Sequence, residues 1–363
     1  MRNVGMVVVL LVLVVPSWAF AISLCQYTQP ITTVTTSSLQ LSGRYLDDEY
    51  LDDRGNVLSL TLAGSFLRYY DAPDFGYGVK ASVSHSTTEG ARTLVGAASA
   101  DFRFYAPETA LFAFGRVNSN WVGLTPTVAV VLGIGYGRLQ DVTPLAKAMR
   151  INDKLLQDKV LTAALPDNVL LAIAQEIGKR QEYPRLEDLV IKVVGLIEAS
   201  GVVTGKLGAE AVLAIRQIIT AVGDTRLCGF SLSTGVGYKV LDPAGQQDLV
   251  LFEAAEYAMP WSVDTQLHLR GDVTSTLNFS SYVMQVTASL VHKLTSTATL
   301  SGNFSFSRAL PAGGTPVDSQ ALDVALSFAL FEGWTVNVTL GIRNLTGYEE
   351  PRVELSVAAG ITF

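Results

Sequence analysis

From Pro126 the chain alternates residue by residue over about a dozen positions, a period that commits it to extended strand. Val128, Val130, Leu132, Ile134 and Tyr136 are large and apolar, and between them stand Ala129, Val131, Gly133, Gly135 and Gly137. The same chemistry returns further on, where Phe230, Leu232, Val236, Tyr238 and Val240 face away from Ser231, Ser233, Gly235, Gly237 and Lys239. After Trp261 it sharpens: Val263, Thr265, Leu267, Leu269 and Val273 alternate with Asp264, Gln266, His268, Arg270 and Asp272. A soluble core would not hold such a row of charges. Strict alternation over about 8 to 12 residues is the mark of a strand crossing a bilayer, apolar toward lipid and polar or small toward a lumen. A soluble β-sandwich alternates too, but its strands are typically about five or six residues long. Aromatic residues near the strand ends (Tyr69, Tyr70, Phe104, Trp121, Trp261 and Trp334) read as an outward interfacial girdle.

The beginning of the chain agrees with export. Met1, Arg2 and Asn3 precede an apolar stretch from Val7 to Val15, then Pro16 and Ala19-Phe20-Ala21. A basic start, an apolar stretch too short to span a bilayer and a small-x-small site read as a cleaved signal peptide over residues 1–21, with a retained helical anchor as the alternative. No later segment supplies the run of about 20 apolar residues that a spanning helix needs. Yet 49% of the 363 residues are hydrophobic and only 16% charged, with a mean hydropathy of +0.33. A closed β-barrel is the other structure that satisfies every backbone group in hydrocarbon.

The last segment, Val353, Leu355, Val357, Ala359, Ile361 and Phe363, alternates up to a terminal phenylalanine. It resembles the C-terminal strand by which bacterial outer-membrane β-barrel proteins, the porin-like superfamily, are recognised for insertion. The resemblance implies outer-membrane lipid as the surroundings and the barrel-assembly machinery as a partner through the Phe363 strand. It names no solute and no specific family.

About 14 candidate strands can be counted, the fifth (111–119) and eighth (247–258) being the weakest. Alternation slips near Arg68 and again around Glu253, which leaves 12 or 16 strands open. Between Leu139 and Leu227 the period turns helical, with Pro166, Pro184 and Gly201 separating four short amphipathic helices. Strand parity places this insert on the periplasmic side. The expected organisation is a signal peptide (1–21), an N-terminal periplasmic arm (22–37), barrel strands one to six (38–139), a helical periplasmic insert (140–227) and barrel strands seven to fourteen (228–363). The fold class is thus an all-β transmembrane antiparallel barrel with a helical periplasmic insertion. The insert can dock beneath the barrel, plug the lumen or bind an envelope partner. Its apolar stripes read as self-packed core before they read as a docking face.

Chemistry for catalysis is sparse. By phase His85 and His292 face lipid, which leaves His268 as the single histidine on a lumen row. No nucleophile elbow, phosphate loop or metal-spaced cluster occurs, so no enzyme activity, catalytic residue, metal or cofactor is expected. A net charge of −7 without a basic cluster argues against nucleic acid. The pore-lining candidates are Arg44, Lys80, Arg103, Lys239, Arg270 and Arg343, opposed by Asp101, Asp264, Asp272, Asp323 and Glu354, with Gln266 and His268 among them. They can set a field across a channel or pair with one another and close it, two readings of equal weight. The acidic loop of Asp47, Asp48, Glu49, Asp52 and Asp53 reads as solvated before it reads as a Ca²⁺ site. Cys25 and Cys228 are open to a disulfide, to two unlinked thiols or to a lipid anchor on Cys25. Unlinked thiols rank first and lipidation last, because Leu24 is large for a lipoprotein signal. The leading expectation is a porin-like passive channel for small polar solutes, the alternative an anchoring barrel whose insert binds a partner. Solute and oligomeric state are left open.

Overall fold

A computed structural model of the protein describes residues 23–28, 31–46, 57–88, 91–123, 125–203, 205–221, 225–241, 249–295, 297–331, 334–345 and 351–362. The signal-peptide residues 1–21, the acidic loop at 47–53 and Phe363 lie outside the described residues.

Each alternating segment forms a strand. The first half holds β1 (Thr32–Leu46), β2 (Val57–Asp71), β3 (Phe75–Thr88), β4 (Ala91–Tyr105), β5 (Leu111–Val122) and β6 (Thr125–Asp141). The second holds β7 (Leu227–Leu241), β8 (Leu249–Pro260), β9 (Thr265–Thr276), β10 (Tyr282–Lys293), β11 (Ala298–Leu310), β12 (Val317–Phe331), β13 (Trp334–Leu345) and β14 (Arg352–Thr362). Every strand pairs antiparallel with the next, and β1 returns to β14 from Ser38↔Thr362 to Gly43↔Val357. The result is a closed 14-stranded barrel. Closure removes the edge strands, so the wall has no row of unpaired backbone groups to expose to hydrocarbon. β1 starts at Thr32, not at residue 38, and the arm before it is correspondingly short.

The two apparent slips of alternation are inversions of polarity, not of geometry. Around Glu253 the ladders run without interruption, Thr234↔Glu253 on one side and Glu253↔Val273 on the other. Val250 and Phe252 are buried inside while Glu253 is exposed outside. Near Arg68 the pairing is likewise unbroken, with Arg68 on the outward face of Leu62 and Phe66. Tyr69 therefore points inward, among Asp71, Arg103, Tyr105 and Arg138, and drops out of the outer girdle expected for it. Tyr70 keeps its place outside, stacked on Tyr77 at 5.4 Å beside a Phe75–Phe104 pair at 5.2 Å.

Outward rows are apolar all round the barrel: Leu132, Ile134, Leu232, Leu330 and Leu355 are each at least half exposed. Monomeric soluble proteins rarely show a continuous apolar patch above a few hundred Å², so a belt covering the whole barrel belongs in lipid.

The insert folds as α1 (Thr143–Gln157), α2 (Asp167–Gly178), α3 (Leu186–Ala199) and α4 (Ala209–Thr220). Pro144 opens α1 and Pro166 precedes α2, where a missing N–H costs nothing. Leu145, Ile151, Leu155, Ile173, Leu189, Val193, Ile197 and Ile215 are fully buried, so the apolar stripes do pack on one another. The N-terminal arm joins this core. Leu24 and Tyr27 are buried in it, the Tyr27 hydroxyl donates to the Ala174 carbonyl at 3.1 Å, and burial pushes its phenol pKa up. Cys25 and Cys228 form a disulfide, so the ranking of unlinked thiols above it is corrected. The sulfurs meet because the arm lies on the insert at the point where the chain re-enters the barrel through β7.

Candidate functional site

The inward rows of β4 to β9 build a shelf across one side of the lumen. Its base is made by glycine. Opposite Phe112 and Phe114 of β5, the inward positions of β6 are Gly135 and Gly133. A Cβ on Gly135 would lie 2.2 Å from Phe112 Cζ and one on Gly133 2.6 Å from Phe114 Cε1, so the rings rest on bare backbone. Tyr105, Phe112, Phe114, Val131 and Phe252 then form a buried cluster inside the barrel, with ring centroids 5.6 to 6.2 Å apart.

Three guanidinium groups cover this cluster. Arg138 lies 4.5 Å from the Tyr105 centroid and Arg103 5.7 Å from that of Phe112, while Arg116 sits 4.9 Å from Phe252 and 5.8 Å from Phe114. Cation–π contact of this kind is worth about 0.5–2 kcal/mol, more as water is excluded. Arg138 is also held by Asp71 at 2.6 Å and donates to the Ala72 carbonyl. Arg103 approaches Asp101 at 3.4 Å, and Glu256 meets His268 at 2.7 Å. Among the described residues Arg270 has only a loose ion-pair contact, 3.5 Å, with Asp272. Above the rings lies a cavity of about 230 Å³ lined by Lys80, Asp101, Arg103, Arg116, Glu256 and Arg270, with Ser99, Asn118, Ser231 and Ser233.

Across the lumen the wall is thinner. Arg343 joins Asp323 at 3.1 Å and Glu354 at 3.5 Å, and Arg352 reaches Glu354 at 3.3 Å. The neighbours on those inward rows are small, among them Ser301, Ser305, Ala325, Ser327, Thr339 and Ser356.

One end of the barrel is crossed by the insert. Arg150 of α1 binds Asp264 and the Val263 carbonyl in the β8–β9 turn, and buried Arg226 donates to the same carbonyl. On the other side, Gln181 after α2 donates to the Thr33 carbonyl at the start of β1 at 3.4 Å. β1 and β8 stand opposite one another in the ring. The helices thus reach both walls and form a cap over that mouth, with a second cavity of about 550 Å³ between Thr33, Asp141, Lys147 and the α2 end.

No family model and no curated protein matches this chain by sequence. Solved structures similar to it include outer-membrane barrels. One is the outer membrane protein Omp33 of Acinetobacter baumannii, at 7% identity and a TM-score of 0.37, covering 91% of this chain and 99% of that one. Another is an outer membrane channel from Pseudomonas putida F1, at 7% identity and 0.37, covering 96% and 100%. A third is the translocator domain of the autotransporter NalP from Neisseria meningitidis, at 9% and 0.32, covering 92% and 88%. Likeness at that level decides nothing about this chain beyond what its own geometry gives.

The expected inward residues sort into four groups. Lys80, Asp101, Arg103 and Arg270 meet at the shelf cavity, with His268 and Asp272 beside it through Glu256 and Arg270. Asp323, Arg343 and Glu354 form the separate cluster on the opposite wall. Lys239 takes its inward place on β7, away from both. Arg44 pairs with Ser59 on the β1–β2 ladder, its side chain being outside the described part of the structure. Two more sit at the mouth. Asp264 lies in the turn before β9 and holds Arg150 of the cap, while Gln266, 7% exposed, clamps the Leu227 N–H and carbonyl at 3.0 Å each. Both fasten the insert and its re-entry strand. Arg116, Arg138, Asp71, Glu256 and the rings were not foreseen; the alternation Phe112, Phe114, Arg116, Asn118 set against Gly133, Gly135 and Gly137 is the signal that locates them.

Proposed function

We propose that the protein is an outer-membrane channel passing small polar solutes by diffusion, narrowed inside by the shelf and crossed at its periplasmic mouth by the helical cap. The observation that carries this reading is the contrast between the two faces of single strands. Leu232 and Val236 on β7 are about half exposed outside, while Ser231 and Ser233 line a charged cavity inside. A barrel serving only as an anchor has no use for a hydrated interior. Export through the N-terminal signal and insertion through the Phe363 strand by the barrel-assembly machinery complete the reading, with the cap facing the periplasm.

A second reading has one observation in its favour. Ile191 of α3 and Leu213 of α4 are 68% and 54% exposed, apolar side chains that a periplasmic partner of the cap would cover. Single-channel conductance of the refolded chain in a planar bilayer, before and after dithiothreitol, separates the two. A steady current that rises when Cys25–Cys228 is cut, because the arm no longer ties the cap at the β7 entry, supports the channel. Silence in both states rejects it and leaves the barrel as the anchor of its cap.

A further inference from the structure

We infer that the shelf cavity is a selectivity site for small oxyanions, solutes bearing a carboxylate or a phosphate. The inference rests on the channel reading above and assigns that channel its substrate class.

The charge at the cavity runs against the charge of the chain. Overall the protein carries −7, yet the cavity is lined by four cations (Lys80, Arg103, Arg116, Arg270) and two carboxylates (Asp101, Glu256), a local balance of 4 − 2 = +2. Glu256 takes His268 at 2.7 Å, and Asp101 faces Arg103 at 3.4 Å with its buried Oδ2 making no hydrogen bond. Among the described residues Lys80 and Arg116 make no ion pair, and Arg270 has only its 3.5 Å approach to Asp272. Lys80 has Arg270 and Arg116 as like neighbouring charges, and Asp101 and Glu256 as opposite ones. Four cations around two carboxylates in a lumen of reduced dielectric leave a net repulsion among the cations. An anion between them relieves that repulsion, and a cation adds to it.

The donor geometry favours oxygen ligands. Arg116 lies over both Phe252 and Phe114, 4.9 and 5.8 Å from centroids that are 6.2 Å apart, so both rings support it from one side. Rings on one side of a guanidinium leave its other side to a ligand, and its N–H fork matches carboxylate and phosphate. Ser99, Asn118, Ser231 and Ser233 add neutral donors around the same space. Those ring contacts also hold the charge in place with little loss of rotamer freedom on binding, which suits a site that must capture and release quickly.

The test pairs a current with a titration. Zero-current potentials across a KCl gradient are measured for the wild-type chain and for K80Q/R116Q, with inorganic phosphate and acetate added as separate arms. Wild type is expected to prefer anions several-fold, and the double variant to fall toward no preference. Both anions should reduce the wild-type chloride current, phosphate at lower concentration if the second charge is read. K80Q alone serves if Arg116→Gln disturbs assembly, judged by heat-modifiable migration in gels. A conducting wild type that is unselective or cation-selective overturns the inference and leaves the channel standing. If no current flows, calorimetric titration of the refolded protein with phosphate still decides the site: binding lost in K80Q/R116Q upholds it without the channel, and no wild-type binding overturns it.

Discussion

The two walls of this lumen solve one problem in opposite ways. From β4 to β9 the inward face carries large rings and arginines, and room for them is made by deleting side chains from β6. From β11 to β14 the inward face is made of small residues, and its arginines stand in water among carboxylates. Arg103 is 18% exposed on the shelf, Arg343 44% on the opposite wall. The shelf is therefore a packed core turned inside out, where a lost atom leaves a hole. The thin wall is a hydrated surface, where a lost atom is replaced by water.

Phe112→Ala should break the shelf most severely. Its ring is 2% exposed between Tyr105, Phe114 and the glycines of β6, and truncating a buried phenylalanine costs about 3–5 kcal/mol. Urea titration of the folded barrel in detergent should show the midpoint fall by an amount of that order. A midpoint unchanged within error would mean that the shelf is not a core at all. Gly135→Ala comes next. Its Cβ would meet Phe112 Cζ at 2.2 Å and the Leu232 carbonyl oxygen at 2.5 Å, so ring and backbone both have to move, at a cost of roughly 1–3 kcal/mol. The matched change on the thin wall is Gly341→Ala, whose nearest obstacle is the Asp323 Oδ1 at 2.8 Å, the tip of a mobile side chain. It should cost well under half as much in the same titration; equal costs would erase the distinction between the walls.

What could be read from the sequence follows the same division. Period-two alternation locates a strand wherever lipid is on one side and water on the other, which is why β6, β7, β9 and β11 to β14 fall where their residues place them. The insert is legible for a similar reason, since Leu145 to Ile215 keep a helical period around one apolar core. The shelf violates the rule. Phe112, Phe114 and Phe252 are apolar on the inward face, and Glu253 is charged on the outward one, so β5 and β8 look weak although their pairing is regular. Phe112 and Gly135 belong to different strands, and no period within either one reports that they fit together. Asp264 and Gln266 mislead in another way. They continue the inward row of β9 in the sequence, but at the mouth that row takes Arg150 of the cap and Leu227 of β7 as partners.

The smallest effect is the most informative about the thin wall. Arg343→Ala removes the centre of the Asp323, Glu354 and Arg352 cluster, yet its side chain is nearly half exposed and its contacts are 3.1 and 3.5 Å. Pairs of this kind are worth roughly 0–1 kcal/mol, because water solvates each partner once the other is gone. The urea midpoint should barely move, and it should move less still in 1 M salt, where screening acts within about 3 Å. The current is the other readout. Removing one cation makes the hydrated wall more negative around Asp323, so the anion preference should weaken slightly without loss of the shelf site. A loss of stability as large as that of Phe112→Ala would show that these charges close the lumen as a polar core, and the contrast between the walls would then be one of composition only.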